Sequence, residues 1–99
     1  MFILELTYTA PLDRVEAALD QHVAWLDQHF AAGHFLASGR KQPRDGGVII
    51  ASVDDRATAE KITQEDPFVT AGVCEYRITE FIATKTVADL ASYRQQLPS

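Results

Sequence analysis

The side chains in this sequence best suited to moving a proton near neutral pH are His22, His29 and His34. His22 lies three residues after Leu19 and four before Leu26, on the apolar stripe of a helical stretch, so its ring needs a partner for at least one nitrogen. It is either a satisfied core histidine or the base of a site. His29, seven residues on, follows the same side toward the helix end, as a pocket residue or as a charge suited to the helix dipole. His34 follows Gly33 and is expected at the surface. Asp66 precedes Pro67 and Phe68, and Asp at an N-cap with Pro at the first helical position predicts one helical turn running to Gly72. The same carboxylate keeps lone pairs that can hold an imidazole, fix its tautomer and stabilise the imidazolium, which is what general acid–base catalysis requires.

Other chemistries find less support. The spacing of His22 and His29 does not place two metal ligands side by side on a helix, and there is no His-x-His or HExxH pattern, so no metal is expected. Ser38 lies outside any Gly-x-Ser-x-Gly elbow, which leaves its hydroxyl a ligand-orienting role at a strand end. Cys74 shares a strand face with Tyr76 and reads as a buried thiol. Arg40, Lys41 and Arg44 form a positive cluster in a turn-rich segment: a solvated hairpin loop, or an anion-attracting rim if it overhangs a pocket. Neither a Gly-x-Gly-x-x-Gly nor a Walker-type loop is present, so no nucleotide cofactor is expected.

These residues must be positioned by a short series of elements. Phe2 to Tyr8 alternates, with Phe2, Leu4, Leu6 and Tyr8 on one face and Ile3, Glu5 and Thr7 on the other. Pro11 ends that strand, and Asp13 is the expected cap of a helix over 13–32 carrying Val15, Leu19, Val23, Leu26 and Phe30 on its stripe. Strands are predicted at Phe35–Ser38 and Val48–Val53, joined by a longer hairpin loop ending Asp45-Gly46-Gly47. Asp54 or Asp55 caps a second helix over 56–64, and Val73–Ile82 is the last strand. There, Glu75, Arg77 and Thr79 oppose Cys74, Tyr76 and Ile78. Thr86–Leu97 is expected to form an amphipathic tail helix, dividing the chain into a domain at 1–83 and a tail at 84–99. The order βαββαβ predicts an α+β, ferredoxin-like fold: a four-stranded antiparallel sheet with both helices on one face.

The 99 residues suffice for one domain, and 46% hydrophobic with 23% charged residues is ordinary globular composition. A net charge of −5 gives no general attraction to nucleic acid or anionic membrane, so neither is an expected partner. A single cysteine precludes an internal disulfide. No apolar run is long enough to span a bilayer and no basic leader precedes the first strand, so the cytoplasm is the expected location.

Taken in order, His22-Val23-Ala24-Trp25-Leu26, Gly33-His34-Phe35-Leu36-Ala37-Ser38-Gly39, and Asp66-Pro67-Phe68 with Ala71-Gly72-Val73 resemble the YciI-like (YCII-related) family over about residues 1–83. The resemblance implies a homodimeric α+β barrel similar to muconolactone isomerase-like proteins. It implies further that His22 and Asp66 form an acid/base dyad in a cleft near the dimer interface, with Ser38 and Gly39 ending the second strand beside it. Where the family often carries Gly-Pro, Arg40 follows Gly39 here, which changes the shape and charge of the rim. With Arg40 as a third substrate contact, the expectation is a cofactor-independent isomerase or lyase acting on a small, anionic organic molecule. The alternative is a non-catalytic ligand-binding or accessory dimerisation module using the same pocket.

Overall fold

The computed structural model describes residues 1–98. Its elements in chain order are β1 (Phe2–Tyr8), α1 (Leu12–Ala17), α2 (Leu19–Ala31), β2 (Phe35–Arg40), β3 (Gly46–Ala51), α3 (Arg56–Gln64), α4 (Pro67–Thr70) and β4 (Cys74–Glu80), followed by a 3-10 turn at Ala88–Tyr93. The strands form one antiparallel sheet in the order β2-β3-β1-β4, the ferredoxin-like arrangement expected from the sequence. Alternation sets its two faces. Phe2, Leu4 and Leu6 of β1 are buried beneath the helices, with Ile49 and Ala51 beside them on β3. Burying each of the Phe, Leu and Ile side chains contributes about 1.5–3 kcal/mol. The opposite face is open, and Ile3 and Ile50 stand partly exposed on it.

The expected long first helix is two helices. Ala18 leaves helical geometry at φ −101° and ψ 1°, although alanine is the best helix former, so the cause is tertiary. Val15 and Ala18 are buried with Leu6, Phe68, Val73 and Cys74, and the break re-aims α2 so that His22 and Trp25 become its buried residues. Val23 and Phe30, assigned to the apolar stripe from spacing, are exposed instead. Asp13 is not the cap: Pro11 holds that place without a side-chain bond, and Asp13 sits in the first turn, where its charge suits the helix N-terminus.

The other two caps follow the sequence reading. Asp55 accepts a hydrogen bond from Thr58 N at 2.8 Å, and Asp66 accepts one from Phe68 N at 2.9 Å with Pro67 in the first turn. The hairpin differs in its bounds, since β2 extends through Arg40 and β3 begins at Gly46, leaving only residues 41–45 as loop. A Cβ on Gly46 would overlap the Leu6 carbonyl, so only glycine admits β1 this close. The expected tail helix is present in shorter form, as a largely exposed 3-10 segment at Ala88–Tyr93 kinked at Leu90. Its base is pinned where Gln95 Oε1 accepts from Ala83 N at 2.9 Å and from the Met1 amino group at 3.0 Å. Among the described residues no helix is long and apolar enough to cross a membrane.

Candidate functional site

His22 enters the core from the middle of α2, and Asp66 approaches it from the cap of α4. The imidazole Nδ1 lies 2.7 Å from Asp66 Oδ1. Asp66 is 0% exposed and His22 7%, so water contributes little to holding either group. The imidazole lies flat on the Phe68 ring, with centroids 3.9 Å apart and planes within 8°. The residue after Pro67 therefore supplies both a backbone donor to the carboxylate and an apolar platform for its partner.

The hydrogen-bond network decides the tautomer. An ionised carboxylate only accepts, so Nδ1 carries the proton and donates it to Oδ1, leaving the lone pair on Nε2. Oδ1 also accepts from Phe68 N. Oδ2 accepts from the Tyr76 hydroxyl at 2.6 Å. Tyr76 was absent from the sequence-derived candidates; the strand alternation placed it on the core face, but nothing local pointed to Asp66, ten residues earlier. Burial, with the Asp66 charge and hydrogen bond adding to it, pushes the Tyr76 phenol far above its usual range, so it remains a donor. Cys74 is buried as expected, and its thiol is pushed up to about 12, mainly by burial and then by the Asp66 charge. It stays a protonated thiol rather than a nucleophile.

His22 lines a cavity of about 160 Å³ between α2 and the β2–β3 end of the sheet. Leu6, Leu19, Val23, Leu26, Ile49 and Phe68 give it apolar walls, and Ser38, Gly39, Arg40 and Tyr8 bring polar groups and backbone to its rim. Asp66 stays behind His22, outside the lining. A Cβ on Gly47 would press on the Gly39 carbonyl across the β2–β3 ladder and touch Leu6, so the bare backbone there leaves room for the cavity that both glycines line.

Ser38 and Arg40 reach this cavity through an irregularity. Phe35 pairs with Ala51, but the next pairing is Ala37 with Ile50, so Leu36 is an extra residue in β2. Because strand side chains alternate, one added residue exchanges the faces of everything after it. Ser38 is thereby opposite Ile49 and Arg40 opposite Gly47, on the helix-covered face. In a regular ladder Ala37 and Gly39 would stand there instead.

The positive cluster does not act as a unit. Arg44 Nη1 donates to Glu16 Oε1 at 3.1 Å, and Lys41 sits 3.7 Å from Glu5 and 3.6 Å from Asp45 while donating to Thr7 Oγ1 at 3.3 Å. Of the three, Arg40 alone lines the cavity. Arg77 lies on the open face of the sheet, paired in register with Glu5 and away from the cavity. His34, expected to be free at the surface, is half-buried, and its Nδ1 meets His29 Nδ1 at 2.9 Å. Among the described residues no three His, Cys, Asp or Glu side chains converge to hold a metal ion.

Comparison with known proteins agrees with this architecture. The profile of the YCII-related domain family matches residues 1–82. No curated protein sequence matches the chain. Among solved structures, a similar one is 5-chloro-2-hydroxyhydroquinone dehydrochlorinase (TftG) from Burkholderia phenoliruptrix AC1100, in complex with 2,5-dihydroxybenzoquinone. The TM-score is 0.66 at 17% identity, covering 82% of this chain and 93% of that one, a likeness of fold.

Proposed function

The chain belongs to the YCII-related domain family, and from that premise we propose that it is a cofactor-independent enzyme of the isomerase or lyase type, with His22 as general base and acid. The observation that carries this reading is one buried imidazole bound through Nδ1 to a carboxylate while the same ring lines a cavity. Nε2 takes a proton from the substrate, and the Asp66 charge stabilises the imidazolium that results. The electron pair left behind moves onto an adjacent carbonyl oxygen. It then either picks up a proton at another carbon, which is isomerisation, or expels a leaving group as its anion, which is elimination. Ser38, Gly39 and Arg40 are the substrate contacts in this scheme, with Arg40 opposite the developing oxyanion.

The cavity size bounds the substrate. An apolar cavity of about 150 Å³ admits a benzene-sized molecule, so a single ring carrying an anionic oxygen suits the space and the arginine. TftG, similar in fold, bears the name of a dehydrochlorinase and was solved with a one-ring quinone, which supports this class of reaction and ligand. The open sheet face, with Ile3 and Ile50 partly exposed, supports a homodimer joined sheet to sheet. The rival reading, a ligand-binding module without turnover, draws on the structural duty Asp66 already performs as the α4 cap.

The test is to incubate the protein with 5-chloro-2-hydroxyhydroquinone and follow chloride release, beside His22→Gln. Turnover lost in the variant supports the reading. Ligand bound equally by both proteins, with no chloride from either, favours the binding module.

A further inference from the structure

The His22–Asp66 pair has a third member whose contribution is separable from packing. Asp66 is fully buried, and its two oxygens are unequally served: Oδ1 has both the Phe68 N–H and His22, whereas Oδ2 has the Tyr76 hydroxyl. An isolated buried carboxylate oxygen is costly, so something must satisfy Oδ2. From this geometry we infer that Tyr76 is a positioning residue: its hydrogen bond to Oδ2 leaves Oδ1 to His22 and opposes uptake of a second proton by the imidazole.

The sign follows from the charge distribution. The phenol presents the positive end of its O–H dipole to the carboxylate at 2.6 Å, a short, charge-assisted bond. It stabilises Asp66 most when the carboxylate charge is uncompensated, which is when His22 is neutral. Once His22 is an imidazolium, that ring shares the charge and the phenol gains less. Tyr76 therefore biases the pair toward neutral His22 with a free Nε2 lone pair, the form a general base must hold before it meets substrate. Without the hydroxyl, the nearest compensation for Oδ2 is a full positive charge on His22, and Nε2 is then occupied by a proton. The other polar groups around the pair are placed differently. Cys74, on the same strand, stays a neutral thiol, while Tyr8 and Arg40 lie along the cavity rim.

This inference deepens the reading of His22 as a base, but its readout is the imidazole itself and needs no substrate. Nitrogen-15 NMR of the His22 ring separates the Nδ1–H tautomer, the Nε2–H tautomer and the imidazolium. In Tyr76→Phe, which keeps the ring and removes only the hydroxyl, the imidazolium fraction of His22 near neutral pH is expected to rise about fivefold, less than the full worth of a charge-assisted hydrogen bond because only the difference between the two states of His22 counts. A fluorinated tyrosine at position 76, a stronger donor, is expected to move the populations the opposite way. Identical His22 spectra in the unaltered protein and Tyr76→Phe across about pH 5 to about pH 9 would overturn the inference, even if chloride release had been observed. Shifted spectra with no turnover of any substrate would uphold it while the enzymatic reading fell.

Discussion

His22 and His29 stand seven residues apart on α2, and both rings make their closest polar contact through Nδ1. Their partners differ. His22 meets a carboxylate, which only accepts, so one proton has a fixed place and the far nitrogen keeps its lone pair on a ring that lines the cavity. His29 meets a second imidazole, His34, at 2.9 Å, so one ring must donate while the other accepts, and either can take either part. A further proton on the first pair lands opposite a negative charge. On the second pair it sets two cations face to face. In keeping with this, the His29 imidazole is held below its usual range, first by burial and then by His34, with Glu65 opposing. Trp25 lies between the two sites, its ring 5.6 Å from His22 and 5.3 Å from His29, so the contrast comes from the partners rather than from distant parts of the fold. Two identical side chains on one helix thus acquire different partners: a carboxylate for His22 and a second imidazole for His29.

The sharpest way to break the contrast is to remove the charge from the first pair and keep its shape. Asp66→Asn can still accept from Phe68 N and from Nδ1, so the fold persists, but the imidazolium loses its counter-charge. Turnover of a competent substrate is expected to fall by about 10²–10⁴, read from initial rates against the unaltered protein. Asp66→Ala removes the cap, the Tyr76 acceptor and the His22 partner together. It is expected to lower stability by about 3–5 kcal/mol, measured by urea unfolding near neutral pH.

Replacing Ser38 by Ala and Arg40 by Gln together leaves both histidine pairs in place and takes the side-chain hydroxyl and the charge from the cavity rim. Affinity for an anionic ring compound is then expected to drop about tenfold or more. Calorimetric titration with 2,5-dihydroxybenzoquinone checks this, and unchanged affinity would exclude those two side chains from the site.

The smallest effect concerns the second pair. Because the folded-state value of His29 lies below the ordinary one of about 6.5, the unfolded chain takes up this proton first as pH falls. The contribution of His29 to stability is thus complete above that range and is lost as pH drops toward the lowered folded value. Half-exposure screens the effect to under about 1 kcal/mol. In His34→Asn the repulsion is gone, and the acid-induced drop in the urea midpoint is expected to shrink. A drop of the same size in both proteins would mean that burial alone lowers His29.

Much of this frame is legible in the chain. The alternation of Phe2 to Tyr8 gave the buried and open faces, and Asp55 and Asp66-Pro67 announced the starts of α3 and α4. Such signals are local: a cap bonds a backbone N–H two or three residues away, and a strand's faces follow from its own period. The candidate site was legible only in part. His22 declared itself as a polar group on a buried stripe, and resemblance to a family supplied Asp66 as its partner. The residue content of positions 36 to 40 does not say which side chains face the helices, because that depends on which residue of β3 each one opposes. Spacing predicted an unbroken first helix, yet packing of Val15 and Ala18 against Phe68 and Val73 bends the chain at Ala18.

The sequence by itself determined the order of elements, the strand faces of β1 and β4, and the capping duty of Asp66, since each rests on neighbours in the chain. Only the tertiary structure decided that Tyr76 completes the Asp66 carboxylate, that His34 meets His29, and that Ser38 and Arg40 share a cavity with His22. These depend on strand register, one bulge and one helix break, which are settled by the packing of segments far apart in sequence.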